Sequence, residues 1–101
     1  MIHVVAQISL KPGCRSRFLE EFHKLVPLVH AEEGCLEYGP AIDAETPITA
    51  QKTDPDLVVV IEKWESVPHL EAHLVADHMN AYRETVKDLV AGTSLQILSP
   101  A

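Results

Sequence analysis

Apolar residues alternate with others from Ile2 to Leu10, with Ile2, Val4, Ala6, Ile8 and Leu10 on one side and His3, Val5, Gln7 and Ser9 on the other. A period of two is that of a strand, and Lys11-Pro12-Gly13 ends it. From Arg15 to Glu33 the period changes: Phe18, Leu19, Phe22, Leu25, Val26 and Val29 recur at helical spacing. Pro27 lies inside this stretch and removes a backbone donor, which predicts a kink or break there. Gly34 stops the helix, and Cys35 to Asp43 reads as a second strand. Residues 44–56 are polar and contain Pro47 and Pro55. A loop of that length in a compact domain is expected to cover a site or a partner. Leu57 to Glu65 is a third strand, opening on the most apolar run of the chain, Leu57-Val58-Val59-Val60-Ile61. Ser66 suits the cap of a following helix, with Pro68 tolerated in its first turn. Asp77 is expected to cap another helix whose stripe is Met79, Tyr82, Val86 and Leu89. Gly92 is expected to end it, and Ser94 to Leu98 to form a last strand with Leu95 and Ile97 on one side.

Strand, helix, strand, strand, helix pair, strand is the order of an α+β, ferredoxin-like split βαβ: a four-stranded antiparallel sheet with helices on one face. The 101 residues, 47% of them hydrophobic, are enough for one modest core, so residues 1–101 are read as a single domain. The third strand is apolar on both faces, Val58 and Val60 on one, Leu57, Val59 and Ile61 on the other. Helices cover only one face, and a second copy of the sheet is the simplest cover for the other. A homodimer is therefore expected.

Charge narrows the partners. Eight Lys and Arg stand against fifteen Asp and Glu, a formal charge of -7, which repels phosphate backbones and anionic membranes. No apolar run approaches the ~20 residues needed to cross a bilayer, and the first residues, Met1-Ile2-His3-Val4-Val5, carry no basic leader. The expectation is a cytoplasmic protein that neither inserts into membranes nor binds nucleic acid. Cys14 and Cys35 form no CxxC and no disulfide framework, consistent with a reducing compartment. The four glycines are scattered, with no phosphate-cradling loop for a nucleotide cofactor.

Candidate chemistry concentrates in Lys63 to His78, which holds the only tryptophan, Trp64, and three of the six histidines. His69 and His73 are four apart and share a helix face, the spacing of a zinc pair. No glutamate directly follows the first histidine and no third ligand is assured, so no metal site is expected, and His69 is read as outward-facing. His73 and His78 flank the break between two short helices and can turn toward Trp64. Each suits a proton acceptor near neutral pH, and each equally suits a core histidine bonded to backbone carbonyls. Tyr38 and Tyr82 could hydrogen-bond a substrate oxygen while their rings shape a cavity, or simply pack. Gln7, polar among apolar neighbours, fits a pocket or a wet interface. Glu62 shares Trp64's face of its strand and, if desolvated, would titrate high enough to act as a base.

Three segments, Glu32-Glu33-Gly34-Cys35-Leu36-Glu37-Tyr38, Ile61-Glu62-Lys63-Trp64-Glu65-Ser66, and His69-Leu70-Glu71-Ala72-His73 followed by Asp77-His78-Met79, resemble the antibiotic biosynthesis monooxygenase family, and within it the small bacterial quinol monooxygenases. The similarity runs from Ile2 to about Leu98. It implies a dimeric α/β barrel with a pocket between the sheet and helices of each subunit. It also implies oxidation of quinols or related electron-rich phenols by O2 without flavin, haem or metal. Catalytic candidates are then His73, His78 and Trp64, with Tyr38, Tyr82, Gln7, Glu62 and Met79 around the substrate and no cofactor. Polyketide-oxidising members carry an asparagine four residues before the tryptophan, where this chain has Val60, so that substrate class is disfavoured. Two rivals remain open: a small-molecule isomerase of the autoinducer-processing type, and a non-catalytic dimeric module that binds quinones.

Overall fold

The structure is a computed structural model describing residues 1–101. Strand β1 (Ile2–Leu10) leads into α1 (Arg15–His30). Then come β2 (Cys35–Ala41), β3 (Leu57–Trp64), α2 (Val67–Leu74), α3 (Asp77–Val86) and β4 (Val90–Leu98). The strands form one sheet in the order β2-β3-β1-β4, with every neighbouring pair antiparallel. This is the expected α+β ferredoxin-like arrangement.

Register explains why one face is dry. Ile2, Val4, Ala6 and Ile8 lie opposite Trp64, Glu62, Val60 and Val58, so the inward residues of both central strands form a continuous surface. Phe18, Phe22, Leu25 and Val29 of α1 pack onto it, joined by Leu70 of α2 and by Met79 and Val86 of α3. At roughly 25 cal/mol per Å² of apolar area removed from water, this joint cluster is the main stabilising term of the fold. The opposite face carries Val5, Leu57, Val59 and Ile61 with no helix above it, and Ile61 remains 39% exposed.

Several local expectations need correction. Strand β3 stops at Trp64, not Glu65. Helix α1 runs unbroken through Pro27, and it ends at His30 rather than Glu33. Pro27 lies on the exposed side, opposite the buried stripe, so its missing N–H opens toward water and does not disturb the packed face. Strand β2 stops at Ala41, not Asp43. Ala76, not Asp77, caps α3; Asp77 sits in the first turn, where its charge still favours the positive end of the helix dipole. Strand β4 begins four residues early, at Val90, because Val90 pairs with Leu10 and Gly92 with Ser9 across a register shift. Gly92 therefore lies inside the strand, and a turn after Val86 ends the helix. Ser66 caps α2 as its sequence predicts, its hydroxyl accepting the His69 backbone N–H at 3.4 Å. No helix is long and apolar enough to cross a membrane.

Candidate active site

Between the sheet and α3 lies a cavity of about 440 Å³, walled mainly by apolar side chains. Glu62, Tyr38, Tyr82, Met79, Arg83 and Leu95 are among its lining residues. Its size is in the range of small-molecule sites, and a mostly apolar wall with a few polar groups suits a flat organic ligand. The open side lies along β4. Leu95 and Ile97 share the inward face with Ala6 and Val4, yet stay 44% and 50% exposed because no helix reaches them.

Strand alternation puts Glu62 on this wall. It lies between Val60 and Trp64 on the inward side of β3, opposite Val4 and Tyr38, and is only 5% exposed. A carboxylate so placed loses its hydration, and burial pushes its pKa up to about 7. Two neighbours act in opposite senses: the Trp64 indole N–H donates to Oε1 at 2.9 Å and stabilises the anion, whereas the charge of Glu32 disfavours it. The cavity thus presents a carboxyl group that titrates near neutrality.

The aromatic residues form a linked wall. Phe22 stacks on Tyr38 with centroids 5.6 Å apart and meets Tyr82 edge-on at 5.8 Å. Burial pushes both phenols well above their ordinary range, and the Glu62 charge adds to this for each. They are held as neutral O–H groups able to donate. The backbone carbonyl of Tyr38 is met by His30 Nε2 at 2.7 Å, which ties β2 to the end of α1.

Trp64 and His73 are not on the cavity wall. Both are fully buried behind Glu62, their rings 4.6 Å apart, and Tyr38 closes on His73 edge-on at 5.4 Å. His73 Nδ1 and His78 Nε2 each lie 2.8 Å from the same oxygen, Oε2 of Glu32. Burial is the largest influence on His73 and lowers its pKa, against the opposing pull of Glu32. His78 borders a smaller groove between α1 and α3 rather than the main cavity.

The sequence-predicted residues therefore divide. Tyr38, Tyr82, Glu62 and Met79 meet around the cavity; Trp64 and His73 form the layer behind it; His78 stands to one side. Gln7 is separated from all of them. It pairs with Val59 on the opposite face of the sheet and is exposed, because odd-numbered β1 residues point away from the helices. His69 is not a free surface residue: its Nδ1 lies 2.6 Å from Ser66 Oγ and its ring packs over Gly34. Glu32 is the residue the sequence reading left out of the site. Its signal was its position just beyond the C-terminus of α1, where a negative charge opposes the helix dipole and calls for a partner.

Comparison with known proteins identifies the family. The antibiotic biosynthesis monooxygenase family matches residues 1–85. A protein of Escherichia coli K12 described as "Probable quinol monooxygenase YgiN" is 45% identical over 102 residues, covering 99% of this chain and 98% of its own, as is its counterpart in Shigella flexneri. Among solved structures, a Pseudomonas aeruginosa protein superposes with a TM-score of 0.82 at 25% identity, over 99% of this chain and 93% of its own. A conserved Methanosarcina mazei protein gives 0.83 at 24% identity, over 99% and 92%, a likeness of fold alone. With a matched family covering most of the chain and a relative aligned along its whole length, this protein belongs to the antibiotic biosynthesis monooxygenase family.

Proposed function

We propose that this protein oxidises a quinol or related electron-rich phenol with molecular oxygen, with no flavin, haem or metal taking part, and that Glu62 is the base. The observation that carries this reading is a carboxyl group with a pKa of about 7 on the wall of an apolar cavity lined by two neutral tyrosines. A neutral quinol gives up an electron slowly, its anion far more readily. A base that accepts a proton near pH 7 therefore does most of the work the protein must do. Glu62 takes the quinol O–H proton, and the Trp64 N–H keeps its carboxylate available. Tyr38 and Tyr82 donate to oxygen as negative charge develops there. The quinolate reduces O2 by one electron, giving semiquinone and superoxide. A second electron and two protons then yield quinone and hydrogen peroxide. Alternatively, recombination of the radicals at ring carbon inserts one oxygen atom and releases the other as water, giving a hydroxyquinone. Both stoichiometries balance with one quinol and one O2. In this reading His73 positions Trp64, and through it Glu62, from behind the cavity. The likeness to the Escherichia coli protein described as a probable quinol monooxygenase supports a quinol as the substrate class.

We also infer that the protein acts as a homodimer. The uncovered apolar surface of Val5, Leu57, Val59 and Ile61 supports this, since one sheet face has no cover within the chain.

Oxygen uptake measured with a panel of hydroquinones tests the oxidation. Uptake that tracks quinol loss and falls in Glu62→Gln supports it. Turnover of a carbonyl substrate without uptake would favour an isomerase, and saturable quinone binding with neither would favour a sequestering module.

A further inference from the structure

Two imidazoles converge on a single carboxylate oxygen outside the cavity. His73 Nδ1 and His78 Nε2 each stand 2.8 Å from Glu32 Oε2, and the potential ligand atoms of the three residues all lie within 4.8 Å of one another. They come from three parts of the chain: Glu32 from the turn between α1 and β2, His73 from α2, His78 from α3. No lysine or arginine pairs with Glu32; the two histidines are its only ion-pair partners. We propose that Glu32, His73 and His78 form a binding site for one divalent transition-metal cation of the zinc type, separate from the substrate cavity.

Two histidines and a carboxylate are a common set for such ions, with bonds of about 2.0 to 2.2 Å. Two ligands at about 2.1 Å from one metal at the tetrahedral angle are about 3.4 Å apart, so each histidine must draw back from Glu32 Oε2 by roughly half an ångström from the 2.8 Å seen here. A small opening of the cluster would admit the ion. Its rings are already oriented. His73 is wedged between Trp64 and Tyr38, and its Nδ1 faces the carboxylate. His78 keeps 26% of its side chain exposed, which leaves a route for the ion and room for water as a fourth ligand. In the empty cluster, hydrogens on both ring nitrogens must point at one oxygen. A cation would take the place of both hydrogens, each of which moves to the far nitrogen of its ring, His73 Nε2 and His78 Nδ1, or is released to solvent. The zinc-like pair suggested by spacing alone, His69 with His73, is not the one the fold assembles, because His69 is turned to Ser66.

The bound ion would fasten the end of α1 to the α2–α3 corner and would not enter the oxidation, so its presence is read by binding and stability. Zinc chloride is titrated into chelator-stripped full-length protein by calorimetry, with thermal unfolding followed in parallel. One ion per chain and a rise of several degrees in Tm are expected. His78→Gln, at a partly exposed position where folding should survive, should weaken zinc binding tenfold or more, and Glu32→Gln likewise. His69→Gln should bind as the wild type does. Cobalt substituted for zinc should give a visible absorption band that the His78 variant lacks. Absence of binding to the wild type would overturn the proposal. So would unchanged binding in both folded variants, which would mark an adventitious surface ion. Quinol oxidation by the stripped protein is scored separately, so either reading can fail without the other.

Discussion

Trp64 donates its indole N–H to Glu62 Oε1 at 2.9 Å, from two positions further along the same strand. Residues two apart on a strand share a face, so the donor and the acceptor are both fixed by backbone and need no loop to bring them together. The bond is buried, which makes it stronger than at a surface and makes each partner costly to leave alone.

The first prediction concerns Glu62 itself. Glu62→Gln keeps an oxygen for the Trp64 N–H but removes the proton acceptor. Initial rates should show kcat lower by ~100-fold or more, with KM changed far less, because the lost function belongs to the transition state. A variant that retained full kcat would remove Glu62 from the chemistry.

The same substitution should change stability with a definite sign. The folded pKa of Glu62 is about 7 against an ordinary value of 4.5, so between these values the folded chain holds more protons than the unfolded one. Stability from this group is therefore full below about pH 4.5 and is lost as pH rises toward 7. The loss amounts to as much as ~3 kcal/mol, at about 1.4 kcal/mol per pH unit separating the two values. Glu62→Gln does not ionise. Its Tm should equal that of wild type near pH 4 and exceed it at pH 8; a constant difference across that range would contradict the placement of the carboxyl in a dry wall.

How much of this was legible depended on whether the signal was local. Alternation in Ile2–Leu10 and the run Leu57–Ile61 report their own burial, so the strands and their inward faces could be read directly. The early start of β4 could not, because Val90 to Gly92 have no strand pattern of their own and are held by pairing to Leu10 and Ser9. Within the site, Glu62 and Trp64 were linked by spacing along one strand. Glu32 is forty-one residues from His73 and forty-six from His78, and only the packing of α1 against the second half of the chain joins them. For Gln7, polarity allowed either a pocket or a wet interface, and strand periodicity separates the two by assigning it to the exposed outer face.

Gly34 gives a test of the corner that holds Glu32. Its φ is +82°, a left-handed conformation that favours glycine, and a Cβ there would clash with the Cγ and Cδ2 atoms of His69. Its carbonyl also accepts the Glu65 N–H at 2.9 Å. Gly34→Ala must strain the backbone and displace His69 together. A loss of ~2 kcal/mol or more in urea unfolding is expected, and an unchanged midpoint would show that the corner adapts freely.

The inferred dimer rests on the face opposite the cavity. Ile61 lies between Val5 and Gly39 at the centre of that surface. Ile61→Lys should leave the inward core intact while placing a charge where a second apolar sheet must dock. Sedimentation should find wild-type dimers at micromolar concentration and monomers for the variant. A wild type that sediments as a stable monomer would leave that apolar face without a use.

Trp64→Phe separates the hydrogen bond from the bulk of the ring. Phenylalanine still packs against His73 but cannot donate to Glu62, so the carboxylate loses the neighbour that favours its charged form. The pKa of Glu62 should rise further, and the rise of kcat/KM with pH, centred near 7 in the wild type, should move to higher pH. At saturating pH much of the activity should return, because the base is still present once ionised. The smaller ring leaves a void, with a stability loss of ~1 to 3 kcal/mol; Trp64→Ala would cost more, ~3 to 5 kcal/mol, and confuse unfolding with chemistry. A pH profile that kept its midpoint while falling uniformly would mean that Trp64 serves packing alone, and that its N–H does not tune the base.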